Sequence, residues 1–349
     1  MPAGRIALGL RIEPWPLRAP FRISGHTFNE SPALVATLRQ DGFEGRGEAA
    51  GVYYFGDTPE RMLAAIEPLR DRIESGSSRA DLQELLPAGG ARNALDCALW
   101  ELEALRAGEP VWRLAGLEGV RPLLTTFTIG ADPPAQMAQA ARQMTDARAL
   151  KLKLNGDLAE DLERVALVRR ARPDAWLAVD GNQGYSLGTF AELVPALARA
   201  DVRLIEQPLP RGGDAALEGF DCLIELAADE SVQGLAEIGA AVGRYDVVNI
   251  KLDKCGGLTE ALAMARKARR LGLKPMVGNM VGSSLAMAPA FVVGQLCDYV
   301  DLDGPTFLAG EPAPAVEYRR GEIWCGPEVW GGPAPAAAGS AAGDAAGAG

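Results

Sequence analysis

Between Leu123 and Asp303 the sequence keeps returning to a short apolar run, eight times in all, with stretches of helical character between. The runs are LLTTFTIG, ALKLKL, WLAVD, VRLIEQP, CLIELAADE, DVVNIKL, LKPMVGN and DYVDLD. Apolar runs this short read as strands, and strands alternating with amphipathic helices imply βαβ units and a parallel sheet. Eight of them within about 180 residues suit a closed β/α barrel, spanning 122–305, better than an open sheet.

The chain before this repeat is patterned differently. Ile6–Ile12, Ala33–Gln40 and Phe43–Ala49 read as extended, and Asp41-Gly42 between the last two is a hairpin signal. Helical patterns follow over about Pro59–Ser75 and Ala91–Arg106. In the second, Leu95, Leu99, Leu102 and Leu105 recur at helical spacing and mark a buried face. Residues 1–115 are thus expected to form a small α+β unit, to which 306–332 returns after the barrel. The last stretch, 333–349, is Ala/Gly/Pro-rich without periodicity and is expected to be disordered.

Composition excludes several functions. A net charge of -11 is wrong for nucleic acid, which needs clustered Lys and Arg to neutralise phosphates. No apolar run is long enough to span a membrane, and the opening MPAGRIALGLRIEPW lacks the apolar core of a signal peptide. Five scattered cysteines without CxxC spacing suggest reduced thiols and a cytoplasmic location. His26 is the only histidine, which argues against a His-rich metal site or a Ser-His-Asp triad.

In a β/α barrel, chemistry gathers where the strands end. The second run ends with Lys151 and Lys153, the third with Asp180, the fourth with Glu206, the fifth with Asp229, the sixth with Lys251 and the eighth with Asp301 and Asp303. Singly, each residue has a duller use: a helix cap, a loop ion pair, half of an exposed strand face. Jointly, seven or more charged groups at one end of a barrel make a poor solvated surface and a good site. Asp180, Glu206 and Asp229 offer three hard oxygen donors from consecutive strands, a set suited to Mg2+. Lys151 and Lys153, two apart on a strand, share a face, and each cation is expected to lower the pKa of the other. Lys251, about halfway round the barrel, is expected to face Lys153 across the lumen.

The segments KLK at Lys151–Lys153, VDGNQGY from Val179, IEQP from Ile205, ADES from Ala228 and NIKLDKCGG from Asn249, in this order and spacing, resemble the enolase superfamily in its muconate-lactonising-enzyme-like subgroup. The resemblance covers nearly the whole chain except the tail. It implies an α/β fold, a modified TIM-type (β/α)7β barrel with an N-terminal α+β capping domain. It also implies that Asp180, Glu206 and Asp229 bind Mg2+, that Lys153 and Lys251 are the acid/base pair on opposite faces of a substrate carbon, and that Lys151 tunes Lys153 and touches the substrate carboxylate. The chemistry implied is removal of a proton beside a carboxylate, through an enediolate whose charge a metal offsets. Asp301-Leu302-Asp303 resembles the Asp-x-Asp of dipeptide epimerases in this subgroup, where it would bind the ammonium of a dipeptide, and Thr128 matches a substrate-contacting Thr. In Ala-Glu epimerases a lid Arg can pair with the Glu side chain; that place holds His26 here, with Arg22 nearby. The expected partner is therefore a small dipeptide, with no nucleic acid or membrane and room for a homo-oligomer. The rivals are N-acylamino acid racemase, o-succinylbenzoate synthase and muconate cycloisomerase, all lacking a substrate ammonium, and a catalytically silent scaffold.

Overall fold

The computed structural model describes residues 5–23 and 25–332; the expected disordered tail, 333–349, lies outside them. The N-terminal part contains β1 (Ala7–Glu13), β2 (Pro16–Ile23), β3 (His26–Glu30), β4 (Ala33–Gln40) and β5 (Phe43–Ala49). Strands β1, β4 and β5 form an antiparallel sheet, with β4 in the middle. Asp41 and Gly42 both take positive φ (52° and 87°), which pairs Gln40 with Phe43 across a two-residue turn. Strands β2 and β3 form a separate two-stranded ribbon. It was not read from the sequence, because three prolines and mostly exposed side chains give Pro14–Glu30 no strand alternation.

Helices α1 (Pro59–Ile66), α2 (Arg70–Glu74), α3 (Arg79–Leu85), α4 (Gly90–Ala107) and α5 (Val111–Leu114) follow. The expected single helix over Pro59–Ser75 is broken at Glu67–Leu69 by Pro68, which has no N–H to continue the ladder. Helix α4 is buried on two sides. Leu95, Leu99 and Leu102 pack on the β1-β4-β5 sheet, so closely that a Cβ on Gly47 would sit 2.1 Å from the Ala94 carbonyl oxygen. Its other face meets the barrel, where Trp100 donates to Thr259 at 2.9 Å and Arg92 to the Cys255 carbonyl at 2.6 Å. Each buried leucine of this face stabilises the fold by about 1.5–3 kcal/mol.

After β6 (Leu123–Leu124) come eight parallel strands in sequence order: β7 (Thr126–Ile129), β8 (Ala149–Lys153), β9 (Trp176–Asp180), β10 (Val202–Glu206), β11 (Glu225–Ala228), β12 (Val247–Ile250), β13 (Lys274–Val277) and β14 (Tyr299–Val300). They make a nearly closed barrel behind the N-terminal cap, and each lies within one of the eight apolar runs. Full crossover helices are α6 (Pro134–Gln143), α7 (Leu158–Ala171) and α8 (Leu187–Arg199). The crossover from β10 to β11, rich in Gly and Pro, has only a 3-10 turn at Asp214–Leu217, and the next has only α9 (Ile238–Ala241). Then come α10 (Leu252–Cys255), α11 (Leu258–Arg270) and α12 (Ser284–Gly294).

Side chains stitch the seam between β14 and β7. Leu302 N–H donates to Thr125 Oγ1 at 2.9 Å, the Thr126 hydroxyl to Asp301 Oδ1 at 2.5 Å, and Thr128 N–H to Asp303 Oδ2 at 2.6 Å. Beyond the barrel, β15 (Glu317–Arg319) and β16 (Glu322–Trp324) form a hairpin on β6. The chain then reaches the cap, where Trp330 donates to the Arg46 carbonyl at 2.9 Å.

Candidate active site

Alternation along the barrel strands decides which side chains enter the lumen. Val179, Ile205, Ala228, Val248 and Ile250 pack outward in the core that contains the helices. Their inward neighbours Ala178, Leu204, Ala227, Val247 and Met276 form a small core of their own that plugs one half of the lumen. Two residues further on, at the C-terminal ends, the same faces carry Asp180, Glu206, Asp229 and Asn249, joined by Lys151 and Lys153 from β8 and by Lys251 just past β12. A cavity of ≈ 300 Å³ above this layer is lined by Lys151, Lys153, Asp229, Lys251, Asp301 and Asp303, among others, so the two strand-end lysine groups open into one space.

The ion pairs give each lysine a different task. Lys151, 1% exposed, has its ammonium 2.7 Å from Glu206, 2.8 Å from Asp301 and 3.3 Å from Asp180. Burial opposes its charge, but the three carboxylates overcome that and raise its pKa. For Lys151 this overturns the expectation of a lowered pKa: the sequence did not show how many carboxylates would converge on its ammonium. A proton leaving Lys151 would strand three anions, so Lys151 is a poor base. Lys153 touches only Asp180, at 2.6 Å. Lys251 donates to Asp229 at 2.6 Å. Burial works against its charge too, while Asp229 and Glu206 hold it charged; ligand duty elsewhere for those two carboxylates would relax that hold.

The carboxylates are unevenly matched. Burial would raise Asp180, yet Lys153 and Lys151 hold it at about 2. Asp229 is likewise drawn low against its burial, by Lys251 and by Lys254, which lies 2.7 Å from it. Burial pushes Glu206 up to about 7, and burial with Asp229 and Asp180 pushes Glu230 to about 8. Among the described residues no three His, Cys, Asp or Glu side chains converge into a ready metal cage; Asp180, Glu206, Asp229 and Asp301 each lean on an ammonium instead. The donor set nevertheless fits a hard divalent cation. Six buried carboxylates (Asp180, Glu206, Asp229, Glu230, Asp301 and Asp303) face four ammonium groups (Lys151, Lys153, Lys251 and Lys254), and buried oxygens of Glu206, Glu230 and Asn182 make no hydrogen bond. The Glu206 oxygen sits beside Lys151 but is not aligned to accept from it.

At the β14 end, the two aspartates differ. Asp301 is taken up by Lys151 and Thr126, and Lys151 keeps it ionised against its burial. The expectation of two carboxylates both free for a substrate cation therefore fails for Asp301. Asp303 accepts only from Thr128 and has no cation within ion-pair distance; burial and the neighbouring Asp301 push it up to about 7. At this end of the barrel it is the carboxylate without an ion-pair partner.

The cover comes from the β2–β3 ribbon and the 50–60 segment, where Gly51, with φ 78° and an Asp57 carbonyl 2.2 Å from where its Cβ would be, admits no side chain. Neither His26 nor Arg22 lines the cavity. Arg22 is exposed and turns away to Asp132 at 2.7 Å, while His26, also exposed, stacks on Phe28 and Tyr53. Alternation along the ribbon explains Arg22: Phe21, Ile23 and Phe28 face the cavity, so Arg22 faces out, whereas His26, paired with Ile23 at the end of the ribbon, shares their face but lies beyond the lining. Unanticipated from the sequence were Glu230, Lys254, Asn249, which donates to Glu206 at 2.9 Å, and Gln207, whose amide bridges Ser231, Tyr245 and Leu209. Their signal was present in ADES, NIKLDKCGG and IEQP, where only the strand-end residue was singled out.

A family model described as Enolase C-terminal domain-like matches residues 136–321, and one described as Mandelate racemase / muconate lactonizing enzyme, N-terminal domain, matches residues 5–116. The chain is similar to the L-Ala-D/L-Glu epimerase of Escherichia coli, 40% identical over 89% of this chain and 97% of that one. It superposes on an enolase family member from Agrobacterium tumefaciens with homology to dipeptide epimerases, solved with sodium and L-Ala-L-Glu, at TM-score 0.90, 38% identity, covering 93% of this chain and 100% of that one. It also superposes on a dipeptide epimerase from Methylococcus capsulatus complexed with Mg and L-Arg-D-Lys, at TM-score 0.86, 33% identity, covering 91% and 96%.

Proposed function

Because the chain belongs to the mandelate racemase and muconate lactonizing enzyme family of the enolase superfamily, we propose that it is a Mg2+-dependent dipeptide epimerase, an isomerase inverting the α-carbon of the C-terminal residue. The observation that carries this reading is the cavity, in which Lys153 and Lys251 from non-adjacent strands share one space with the unpaired Asp303. Inversion removes a proton from one face of a carbon and delivers one to the other. Two fixed bases do this without either crossing the substrate plane. Lys153 and Lys251 are those bases, and Lys151, locked among three carboxylates, orients the substrate carboxylate with its charge. Asp180, Glu206 and Asp229 hold Mg2+, which when bound supplies the counter-charge for the oxygens that become anionic as the α-proton leaves. Asp303 receives the free ammonium, with Thr128 at its side. The five unpaired cysteines support a cytoplasmic enzyme; no helix among the described residues is long and apolar enough to cross a membrane.

Incubation of the Mg2+-loaded protein with L-Ala-L-X dipeptides in deuterium oxide tests this. Deuterium should enter the α-position of the second residue while both epimers accumulate. If N-acetylamino acids exchange as fast as free dipeptides, the site is that of an N-acylamino acid racemase instead.

A further inference from the structure

The wall of the cavity opposite the charged layer is apolar. Leu17, Phe21, Ile23 and Phe28 line it from the β2–β3 ribbon, and Tyr53 and Tyr54 from the 50–60 segment. The rings are arranged as packed clusters. Phe21 lies 4.6 Å, centroid to centroid, from Phe307, four residues past Asp303. Phe28 meets Tyr53 edge-on at 5.2 Å, and Tyr53 meets Tyr54 at 5.1 Å. Several of these groups are partly open to water, Tyr53 to 37%, so their apolar surface is uncovered.

Charge around this wall is one-sided. Among the described residues the cations lining the cavity are Lys151, Lys153 and Lys251, all at the strand ends and all engaged by carboxylates. On the cover side the charged lining groups are Glu30, Asp57 and Glu60, and the ribbon's two arginines do not line it: Arg22 is held by Asp132 and Arg18 donates to the Leu308 carbonyl. Resting on the dipeptide reading, the geometry points to a narrower substrate class: dipeptides whose epimerised residue is apolar or aromatic, rather than glutamate. An anionic side chain placed here would lose water, find no counter-charge and approach three carboxylates. An aliphatic or aromatic side chain would cover the exposed ring faces of Tyr53 and Phe28. The two tyrosines line the same cavity as Lys153 and Lys251, so they share the space in which the epimerised carbon must sit. The Tyr54 hydroxyl, near Gln233 but not aligned with it, makes no hydrogen bond.

The test is a kcat/KM series on the Mg2+-loaded enzyme with L-Ala-L-X, where X is Leu, Met, Phe, Tyr, Glu or Lys, read by α-proton exchange. The apolar and aromatic members should exceed L-Ala-L-Glu by roughly a hundredfold. Phe28→Arg, at a half-buried position that tolerates a long polar side chain, should reverse the order of Phe and Glu. A wild-type enzyme that prefers Glu or Lys overturns the inference and leaves the dipeptide reading standing. Exchange of N-acetylamino acids with no exchange of any dipeptide overturns both.

Discussion

The strand-end ring and the cover face each other across one cavity, yet they are built oppositely. In the ring every lysine is held by at least one carboxylate, and the strands that carry them belong to an eight-stranded sheet backed by the largest core in the molecule. In the cover the groups are rings and aliphatic side chains on a two-stranded ribbon, outside all three larger sheets. A lone hairpin has little stability of its own. The difference separates two duties: the ring fixes charges to within tenths of an ångström, as proton transfer demands, whereas the cover needs only shape and apolarity. Reaction should therefore depend on the ring, and choice of substrate on the cover.

The largest effect that would break this division is metal removal. Chelation should abolish turnover whatever the dipeptide, and added Mg2+ should restore it. At a hundred times its dissociation constant Mg2+ should also stabilise the fold by about 2.7 kcal/mol, visible as a higher Tm; a Tm indifferent to Mg2+ would remove Asp180, Glu206 and Asp229 as ligands. Next comes Lys251→Ala, which should slow epimerisation on the order of a thousandfold in both directions while Lys153 still exchanges the α-proton of one epimer. Wild-type epimerisation by that variant would reject the two-base assignment. Smaller again, Asp303→Asn should lower kcat/KM for free dipeptides by about a hundredfold and narrow their advantage over N-acetylated ones. An unchanged ratio would place ammonium recognition elsewhere.

The smallest effect lies where cap and barrel join. Glu48 on β5 accepts from Ser283 N–H and Oγ at the start of α12, with Glu311 and Asp253 near it. Burial raises its pKa to about 7 from the usual 4.5. A carboxyl whose folded-state pKa lies above its unfolded value holds its proton more tightly when folded. Its contribution is complete below pH 4.5 and is lost as pH climbs through 7. Glu48→Gln should flatten the pH dependence of Tm in that window; an identical slope in both proteins would show that Glu48 does not titrate there.

The eight strands could be read because each lies in a short, mostly buried apolar run, and their polar ends because a barrel puts its chemistry there. Asp180, Glu206, Asp229, Lys153 and Lys251 all sit at such ends. The ribbon was missed because its sequence, PLRAPFRI then HTFNE, lacks alternation and its strands bury little. Arg22 was misplaced for the same reason: without the ribbon, nothing said which of its side chains faced the cavity, nor that His26 would sit at the ribbon's end beyond the lining. The state of Lys151 was illegible for another reason. Its carboxylate partners come from β9, β10 and the end of β14, and only the closed barrel brings them to one ammonium.

The barrel's last joint is a clasp of hydroxyls and carboxylates, in which Thr126 holds Asp301 and Thr128 holds Asp303. On the proposed function, one of those fasteners, Asp303, also receives the substrate's amino end. Drift at this joint is therefore taxed twice, once in fit and once in closure, while the ribbon over the mouth is taxed only in fit. A dipeptide epimerase of the proposed kind would have two unequal dials: the residue being inverted would change with a few side chains on the ribbon, but the demand for a free amino terminus would be locked into the fastening of the barrel itself. An engineer wishing to accept acylated substrates must first give the clasp another way to stay shut.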